Sequence, residues 1–393
     1  MIKTILLDLD DTLLDNPTDR FLPAYLQRVA AYLANRIPPD RLLAELMRGT
    51  QAMLDNRDPT RTLEAAFAAR FYPALGEDPE ELAPHFERFY QQDFPALREL
   101  TARRNGAREF VEKLAKAGYE IVIATNPLFP RIAIEERLRW AGLPPAELPF
   151  ELITTYEDSH FAKPRPEYYA EILGRIGRSP AEAVMAGDDP ESDLAPAQSL
   201  GMPVFHLFPR NESTFSQGDF DAFLAWLEGA PTQADSEAAR SPQSTMVRLR
   251  AHVGALLCLV GELPAENWAV KPAAEKWAVV ETISHLRDVE REVNARRLEA
   301  YLAAGEPHFS AFDTDVWAEE RSYIREDGRQ ALQDFIDLRL ALLDRLEALE
   351  PEQWTRKARH ALFGPTTMAE IMAFAAEHDL LHLAQIRETL RKP

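Results

Sequence analysis

The sequence has a single cysteine, a shortage of cationic residues and no long apolar run, and each shortage excludes a class of protein. One cysteine, Cys258, cannot form an intrachain disulfide, so we expect a reducing, cytoplasmic location. The 44 lysines and arginines face 64 aspartates and glutamates, which gives a net charge of −20 at pH 7. Because nucleic-acid phosphates would be repelled by such a surface, we expect no nucleic-acid partner. No stretch approaches the roughly 18 apolar residues that cross a bilayer, so we expect no membrane partner.

What is present is the composition of a globular protein. The 393 residues are 46% hydrophobic and 27% charged, and this length indicates two or three domains. Through the first 230 residues, short runs rich in Val, Ile and Leu alternate with amphipathic segments. Such alternation predicts an α/β Rossmann-like core, a parallel sheet with helices on both faces. We predict strands at 4–9, 120–124, 183–186 and 203–207, and helices at 105–117, 129–141, 165–176 and 191–200.

A long insertion separates the first two predicted strands. From Asp15 to near Arg104 the sequence has helical periodicity throughout and no convincing strand. We interpret residues 16–104 as an all-α cap and residues 1–15 with 105–228 as the α/β core. Candidate cap contacts with a substrate are Arg20, Arg48 and Arg57, although exposed arginines are usually just solvated.

The character of the sequence changes after residue 228. Residues 229–244 are rich in Ala, Ser, Pro and Gln without periodicity, which is typical of a linker. From 245 to 393 we predict an all-α, up-down four-helix bundle with no strand between its helices. Its helices are expected near 244–263, 277–304, 327–349 and 366–391.

Acids, a hydroxyl and a lysine follow the predicted strands at the points where the strands end. Because the carboxyl ends of parallel strands meet at one edge of a sheet, these side chains should converge there, where α/β folds bind ligands. The residues are Asp8 and Asp10 in DLDDT, Thr125 and Asn126 after the second strand, Lys163 in HFAKPRPEYY, and Asp188 and Asp193 in GDDPESD.

These motifs resemble, in order and across residues 1–228, the four motifs of haloacid dehalogenase (HAD) superfamily phosphohydrolases with a helical cap. The resemblance implies that Asp8 is the nucleophile that forms an aspartyl-phosphate and that Asp10 is the general acid and base. Thr125 and Asn126 would bind the phosphate, and Lys163 would neutralise its developing charge. Haloacid dehalogenases lack an aspartate at the position of Asp10, so its presence favours phosphoryl transfer to water. A phosphomutase is the weaker alternative, because no marker of phosphosugar binding is present.

The resemblance also implies a Mg²⁺ ion, which would shield Asp8 from a phosphate dianion. Its ligands would be Asp8, the backbone carbonyl of Asp10 and Asp188. Asp193 is assigned to the same site, where it would fix Lys163 or a metal-bound water. The implied substrate is a small phosphorylated metabolite.

The sequence HDLLH near the C-terminus places two histidines four residues apart. On a helix, His378 and His382 share a face with apolar residues, and His285 lies on an inward stripe of the second bundle helix. A single histidine on such a stripe is usually a satisfied core imidazole. Three imidazoles that converge are costly to bury unless a metal such as Zn²⁺ or Ni²⁺ binds them together.

Residues 245–391 resemble the DinB-like (YfiT-like) superfamily of metal-binding four-helix bundles. The resemblance rests on the segments from ELPAENW to HLRDVE and from LEPEQW to HLAQI. It implies that His285, His378 and His382 bind a divalent transition metal and leave positions open for other ligands.

The sequence therefore predicts a cytoplasmic Mg²⁺-dependent phosphatase fused to a DinB-like metal-binding domain. One alternative makes the C-terminal domain the main enzyme, a metal-dependent thiol S-transferase or detoxifying activity. Another makes it a dimerisation or binding module, so a homodimer is a possible assembly.

Overall fold

The computed structural model describes residues 1–211, 213–229, 236–303, 305–310 and 313–391. The chain divides into two compact units. The first comprises Met1–Tyr169 and Pro180–Asp235, and the second comprises Ala170–Ser179 and Ser236–Pro393. Within the described residues, none of the helices combines the length and apolar character that crossing a bilayer requires.

The first unit contains a six-stranded parallel sheet. Its four central strands are buried and mainly apolar, as expected where both faces of a sheet are covered. The strands are β1 (Thr4–Leu7), β4 (Glu120–Ile123), β5 (Phe150–Ile153), β6 (Ala183–Gly187), β7 (Val204–Leu207) and β8 (Gln217–Gly218). The order across the sheet is β5-β4-β1-β6-β7-β8, so β1 lies between β4 and β6.

A mainly helical segment interrupts the chain between β1 and β4. Two short antiparallel strands, β2 (Leu14–Asp15) and β3 (Ala102–Arg103), pair at its base, where the sequence predicted no strand. Their pairing brings the two ends of the segment together. The helices between them are α1 (Thr18–Leu33), α2 (Pro39–Asp55), α3 (Leu63–Leu75) and α4 (Pro79–Gln92).

Among the described residues, four helices accompany the sheet, namely α5 (Ala107–Lys116), α6 (Arg131–Trp140), α8 (Ala195–Ser199) and α9 (Phe220–Glu228). A further helix, α7 (Pro166–Ile176), begins in the first unit and continues into the residues that belong to the second. A π-helical turn at Pro190–Leu194 precedes α8. The predicted α/β class is confirmed. The sequence did not predict β5 or β8.

The second unit contains a bundle of four long helices, as predicted. They are α11 (Pro242–Val260), α12 (Val279–Val289) continued through a π-helical turn at Glu290–Asn294 into α13 (Ala295–Leu302), α15 (Gly328–Glu347) and α17 (Met368–Arg391). Shorter helices are α10 (Ser236–Arg240), α14 (Trp317–Glu320) and α16 (Pro351–Trp354). Of the predicted linker 229–244, residues 230–235 lie outside the described residues, and α10 and the start of α11 occupy most of the remainder.

The expectation that no strand lies between the bundle helices was wrong. Strands β10 (Lys357–His360) and β11 (Gly364–Thr367) form a hairpin, and β9 (His308–Phe309) pairs parallel with β10. Alternate residues of β10 are buried, so one face of the hairpin packs against the rest of the unit and the other is exposed. The hairpin leads directly into α17.

A fully buried arginine lies at the centre of the bundle. The guanidinium of Arg339 on α15 donates to both carboxylate oxygens of Glu290, at 2.6 and 3.0 Å, and to both of Asp379, at 2.5 and 3.2 Å. Nδ1 of His252 lies 3.4 Å from Asp379. The pKa of Asp379 is held well below its usual value because the charge of Arg339 outweighs the effect of burial. This network joins α15, α17 and the π-helical turn through charged groups that are almost fully buried, and it joins α11 through His252.

Candidate functional site

Three carboxylates meet at the edge of the sheet where β1 and β6 end. Asp8 directly follows β1, Asp188 directly follows β6, and Asp193 lies in the π-helical turn before α8. One oxygen from each of the three lies within 4.8 Å of the others. A Cβ atom on Gly187 would stand 2.1 Å from Oδ2 of Asp193, so only glycine permits this close approach. The structure therefore places three of the predicted site residues together.

Lys163 lies between two of these acids. Its Nζ donates to Oδ1 of Asp8 and to Oδ1 of Asp193, at 2.6 Å in each case, and the side chain is 3% exposed. Burial alone would lower the pKa of Lys163, but the carboxylates of Asp193 and Asp8 raise it well above its usual value. The lysine is therefore a fixed cation at this site.

One cation does not neutralise three carboxylates. Burial raises the pKa of Asp8 well above its usual value against the opposing effect of Lys163, and the charges of Asp193 and Asp188 raise it further. Burial and the charges of Asp193 and Asp11 raise the pKa of Asp188 to about 7. Clustered oxygen donors that cannot all keep their charge alone are suited to a hard divalent cation such as Mg²⁺.

Asp10 is held from both sides. Nδ2 of Asn16 donates to its Oδ1 at 2.7 Å, and the guanidinium of Arg137 on α6 pairs with its Oδ2. Neighbouring Asp11 has a left-handed backbone (φ 56°), accepts from the backbone of Asn16 and pairs with Arg210. The contacts of Asp11 therefore stabilise the turn that carries Asp10.

Thr125 and Asn126 follow β4 on the other side of β1. The carbonyl of Thr125 accepts from Oγ1 of Thr154 and from the hydroxyl of Tyr168, both at 2.8 Å, which fixes the backbone of this loop. Thr125 is buried, whereas Asn126 reaches the adjoining cavity.

A cavity of about 1040 Å³ opens beside Asp10 in the first unit. Asp10, Asn16, Asn126 and Arg137 lie on its wall, and much of the remainder is apolar or aromatic and comes from α1 to α4. Among the described residues, its lining does not include Arg20, Arg48 or Arg57, so the cavity gives no support to those three candidate contacts.

The sequence did not single out Arg137, nor Thr12 and His206 beside Asp188. Oγ1 of Thr12 donates to Oδ1 of Asp188 at 3.3 Å, and Nε2 of His206 lies 2.8 Å from the carbonyl of Asp188. Thr12 is part of the DLDDT turn and could have been found from it. The other two are ordinary helix and strand residues whose role depends on tertiary contacts.

In the second unit the three predicted histidines form a cluster. Nε2 of His378 lies 3.2 Å from Nε2 of His285 and 3.1 Å from Nε2 of His382. The ring of Trp277 stacks on His382, with centroids 5.8 Å apart. Nitrogen atoms bound at about 2.0–2.1 Å to one Zn²⁺ would be separated by roughly these distances.

The electrostatic setting of this cluster favours neutral rings. Burial and the two neighbouring histidines lower the pKa of His285 to about 3. Burial and His378 lower the pKa of His382 to about 4, and burial lowers that of His378. Neutral imidazoles offer free lone pairs at pH 7, as a transition-metal ligand requires.

A parallel sheet with acids and a lysine at its carboxyl edge, and a helical segment inserted after the first strand, define the first unit as a Rossmann-like α/β domain with a candidate ligand site at that edge. The profile of haloacid dehalogenase-like hydrolases matches residues 2–201, half of the chain, and the chain belongs to this family. The profile of the DinB superfamily matches residues 248–386. The chain thus combines a HAD-like hydrolase domain with a DinB-like bundle.

Individual relatives are similar over one half or the other. Pyrophosphatase PpaX of Bacillus cereus is 26% identical over 200 residues, which cover 51% of this chain and 80% of PpaX. A HAD phosphatase from Thermococcus onnurineus is 20% identical, with a TM-score of 0.39 over 58% of this chain and 98% of that one. YfiT from Bacillus subtilis, a probable metal-dependent hydrolase, is 18% identical, with a TM-score of 0.35 over 38% of this chain and 86% of that one.

Proposed function

We propose that the first unit is a Mg²⁺-dependent phosphatase that hydrolyses a small phosphorylated metabolite through an aspartyl-phosphate on Asp8. The observation that carries this proposal is the convergence of Asp8, Asp188, Asp193 and Lys163 at one sheet edge, beside Asp10 and its cavity. The name of the relative PpaX, a pyrophosphatase, supports phosphoryl transfer to water.

In the first step a carboxylate oxygen of Asp8 attacks phosphorus, and the bond from phosphorus to the leaving oxygen breaks. Protonated Asp10 donates its proton to that oxygen, so the leaving group departs as a neutral alcohol. Asn16 and Arg137 hold the carboxyl of Asp10 in place for this transfer. Lys163, which is paired with Asp8 and Asp193, would balance the charge on the phosphoryl oxygens.

In the second step water attacks the phosphorus of the aspartyl-phosphate. Asp10, now a carboxylate, accepts the proton of the water, the bond between phosphorus and Asp8 breaks, and inorganic phosphate leaves. Asp8, Asp188 and the backbone carbonyl of Asp10 would hold Mg²⁺ in this site, and Asp193 would fix Lys163 or a metal-bound water. When bound, the ion would offset the repulsion between Asp8 and the phosphate dianion.

The direct test uses the full chain and 4-nitrophenyl phosphate. We expect nitrophenol release that requires Mg²⁺, stops when EDTA is added and returns with excess Mg²⁺. A panel of phosphorylated metabolites then ranks natural substrates by kcat/KM. Release that is equal with and without Mg²⁺ would contradict the proposal.

For the second unit we propose a transition-metal site formed by His285, His378 and His382, with Zn²⁺ or Ni²⁺ as the bound ion. The three Nε2 atoms are close enough for one ion, and neutral imidazoles favour a borderline metal over Mg²⁺. Three ligands leave coordination positions for water or a thiolate, so a metal-dependent S-transferase remains the second candidate function. Thiol conjugation to an electrophile in the presence of the added metal tests it.

We expect the His378→Ala variant to lose this metal. Both short nitrogen contacts of the cluster run through His378, so its removal leaves two ligands and lowers affinity by more than about a hundredfold, beyond what outer-shell changes cost. Elemental analysis after incubation with Zn²⁺ or Ni²⁺ should find about one ion per wild-type chain and far less in the variant.

The matched control is His308→Ala, which removes an exposed imidazole outside the cluster and should leave the metal content unchanged. Phosphatase activity with Mg²⁺ should be equal in both variants, because the oxygen site contains neither histidine. Equal metal content in wild-type and His378→Ala protein would instead indicate that the three histidines are core residues that do not bind a metal.

A further inference from the structure

One of the three clustered histidines of the second unit has its outer ring nitrogen held by a side chain of its own helix. Nδ1 of His382 lies 2.9 Å from Oε1 of Gln385, which follows one turn later on α17. The Nδ1 atoms of His285 and His378 are also buried, but among the described residues neither has a side-chain partner. Gln385 therefore distinguishes His382 from the other two rings.

The contact with Gln385 bears on which nitrogen of His382 carries the proton. A neutral imidazole has one N–H group and one free lone pair, and a metal binds the nitrogen that has the lone pair. Nε2 of His382 faces the cluster, since it lies 3.1 Å from Nε2 of His378. For Nε2 to be a ligand, the proton must therefore be on Nδ1, where it needs a hydrogen-bond acceptor.

The amide oxygen of Gln385 is such an acceptor. It has lone pairs and no proton, so it accepts from Nδ1–H and disfavours the tautomer in which Nδ1 has the lone pair. In water, a neutral histidine without such a partner carries its proton mainly on Nε2, and a proton there would occupy the ligand position. Water has little access to this ring, because His382 is only 9% exposed.

Gln385 and Trp277 together restrict the orientation of the His382 ring. Residues three apart on a helix are neighbours on its surface, so the contact between Gln385 and His382 requires no change in the backbone. The ring of Trp277 lies nearly parallel to that of His382, with an angle of 5° between the planes. The stacking fixes the plane of the imidazole, and the hydrogen bond fixes the direction of Nδ1 within that plane. Nε2 is thereby directed toward His378 and His285.

We propose that Gln385 is a positioning residue of the transition-metal site. Its amide oxygen holds the proton of His382 on Nδ1 and so presents the lone pair of Nε2 to the metal. This inference rests on the proposed metal site of the second unit and adds a residue that acts on it through His382.

Two substitutions of similar length separate the acceptor from the packing of the side chain. Gln385→Met removes the acceptor, and Gln385→Glu keeps an oxygen acceptor at the same place. Gln385 lines a hollow of about 260 Å³ with Lys276 and Leu381, which gives a replacement of this length room to fit. The matched control is Gln330→Met on α15, whose exposed amide donates to Asp334 at 2.8 Å, outside the histidine cluster.

The first measurement is the affinity of the full chain for Zn²⁺ at neutral pH, by competition with a chromophoric chelator. We expect Gln385→Met to weaken binding by about 10–100-fold, the usual cost of removing a residue that orients a metal ligand. Gln385→Glu should restore the affinity, because a carboxylate accepts from Nδ1–H at least as well as an amide. Gln330→Met should bind Zn²⁺ as the wild type does.

The second measurement reads the tautomer without any metal. Long-range ¹⁵N–¹H spectra of the full chain labelled at histidine distinguish a protonated ring nitrogen from an unprotonated one, and the signals of His382 are assigned by their loss in His382→Ala. In the metal-free wild type and in Gln385→Glu we expect the proton on Nδ1. In Gln385→Met it should move largely to Nε2.

Three outcomes would overturn the inference. A proton on Nε2 of His382 in the metal-free wild type would do so without any variant, even if Gln385→Met fails to fold. Equal losses of affinity in Gln385→Met and Gln385→Glu, with the tautomer unchanged, would mean that Gln385 only packs against the ring. Absence of Zn²⁺ and Ni²⁺ binding by the wild type would instead overturn the metal site itself, and with it any role of Gln385 there, whatever the tautomer.

Discussion

Replacing Asp8 by asparagine is expected to abolish Mg²⁺-dependent phosphate release, with a loss in kcat of about four orders of magnitude or more. The amide has nearly the shape of the carboxylate but is neutral and is not a nucleophile, so no aspartyl-phosphate can form. The measurement is phosphate release from 4-nitrophenyl phosphate at saturating Mg²⁺, with rapid acid quenching to detect phosphorylated enzyme in the wild-type chain only.

The matched control is Asp11→Asn in the same DLDDT turn. Asp11 pairs with Arg210 at the surface, and its left-handed backbone is a conformation that asparagine tolerates well. We expect its activity to stay within a few-fold of wild type. Wild-type turnover in the Asp8→Asn chain would contradict the covalent mechanism and leave the cluster of acids without a chemical role.

Replacing Arg339 by methionine is expected to destabilise the bundle by about 3–5 kcal/mol. The guanidinium is the shared partner of Glu290 and Asp379, so its loss leaves two buried carboxylates uncompensated. Hydrogen exchange of the amides in α15 and α17, followed by mass spectrometry, reports this loss separately from the stability of the first unit. The protection of these amides should fall by about two orders of magnitude or more.

Arg345→Met on the same helix is the matched control. Its partner is the exposed Glu299, at 3.3 Å, and surface pairs of this kind contribute about 0–1 kcal/mol. Below the usual pKa of an aspartate the contribution of Asp379 to stability is lost, because its pKa is depressed only in the folded state. The difference between wild type and Arg339→Met should therefore shrink as the pH falls through the acidic range. A difference under about 1 kcal/mol at neutral pH would show that the network is not a determinant of stability.

The sequence predicted the sheet where its strands are continuous apolar runs. β1, β4, β6 and β7 are of that kind and were predicted within a few residues. β5 was missed because the acid of FELI interrupts its apolar run, whereas the acid of β4 precedes the run IVI. The hairpin of β10 and β11 was missed because KARH and GPTT contain cations and a proline, and only tertiary contacts make them strands.

The candidate site shows the same division between local and tertiary information. Asp8 and Asp188 could be located because each lies at a strand end within a short motif. The histidine cluster could be anticipated because helical periodicity placed His378 and His382 on one face. Arg137 could not, since an arginine in an amphipathic helix is ordinarily solvated, and its burial against Asp10 depends on packing between α6 and the first strand loop.

The π-helical turn at Glu290–Asn294 determines how the side chains of α13 are rotated about the helix axis relative to those of α12. One residue advances an α-helix by about 100°, and a π-helical turn absorbs one residue more than an α-helical turn. Deleting a single residue there would rotate the segment Ala295–Leu302 by that angle relative to His285. Leu298 and Tyr301, both fully buried, would then turn away from the core while the histidine kept its place. The extra residue of the π-helical turn thus lets one chain segment carry His285, the proposed metal ligand, near one end and the buried side chains of Leu298 and Tyr301 near the other.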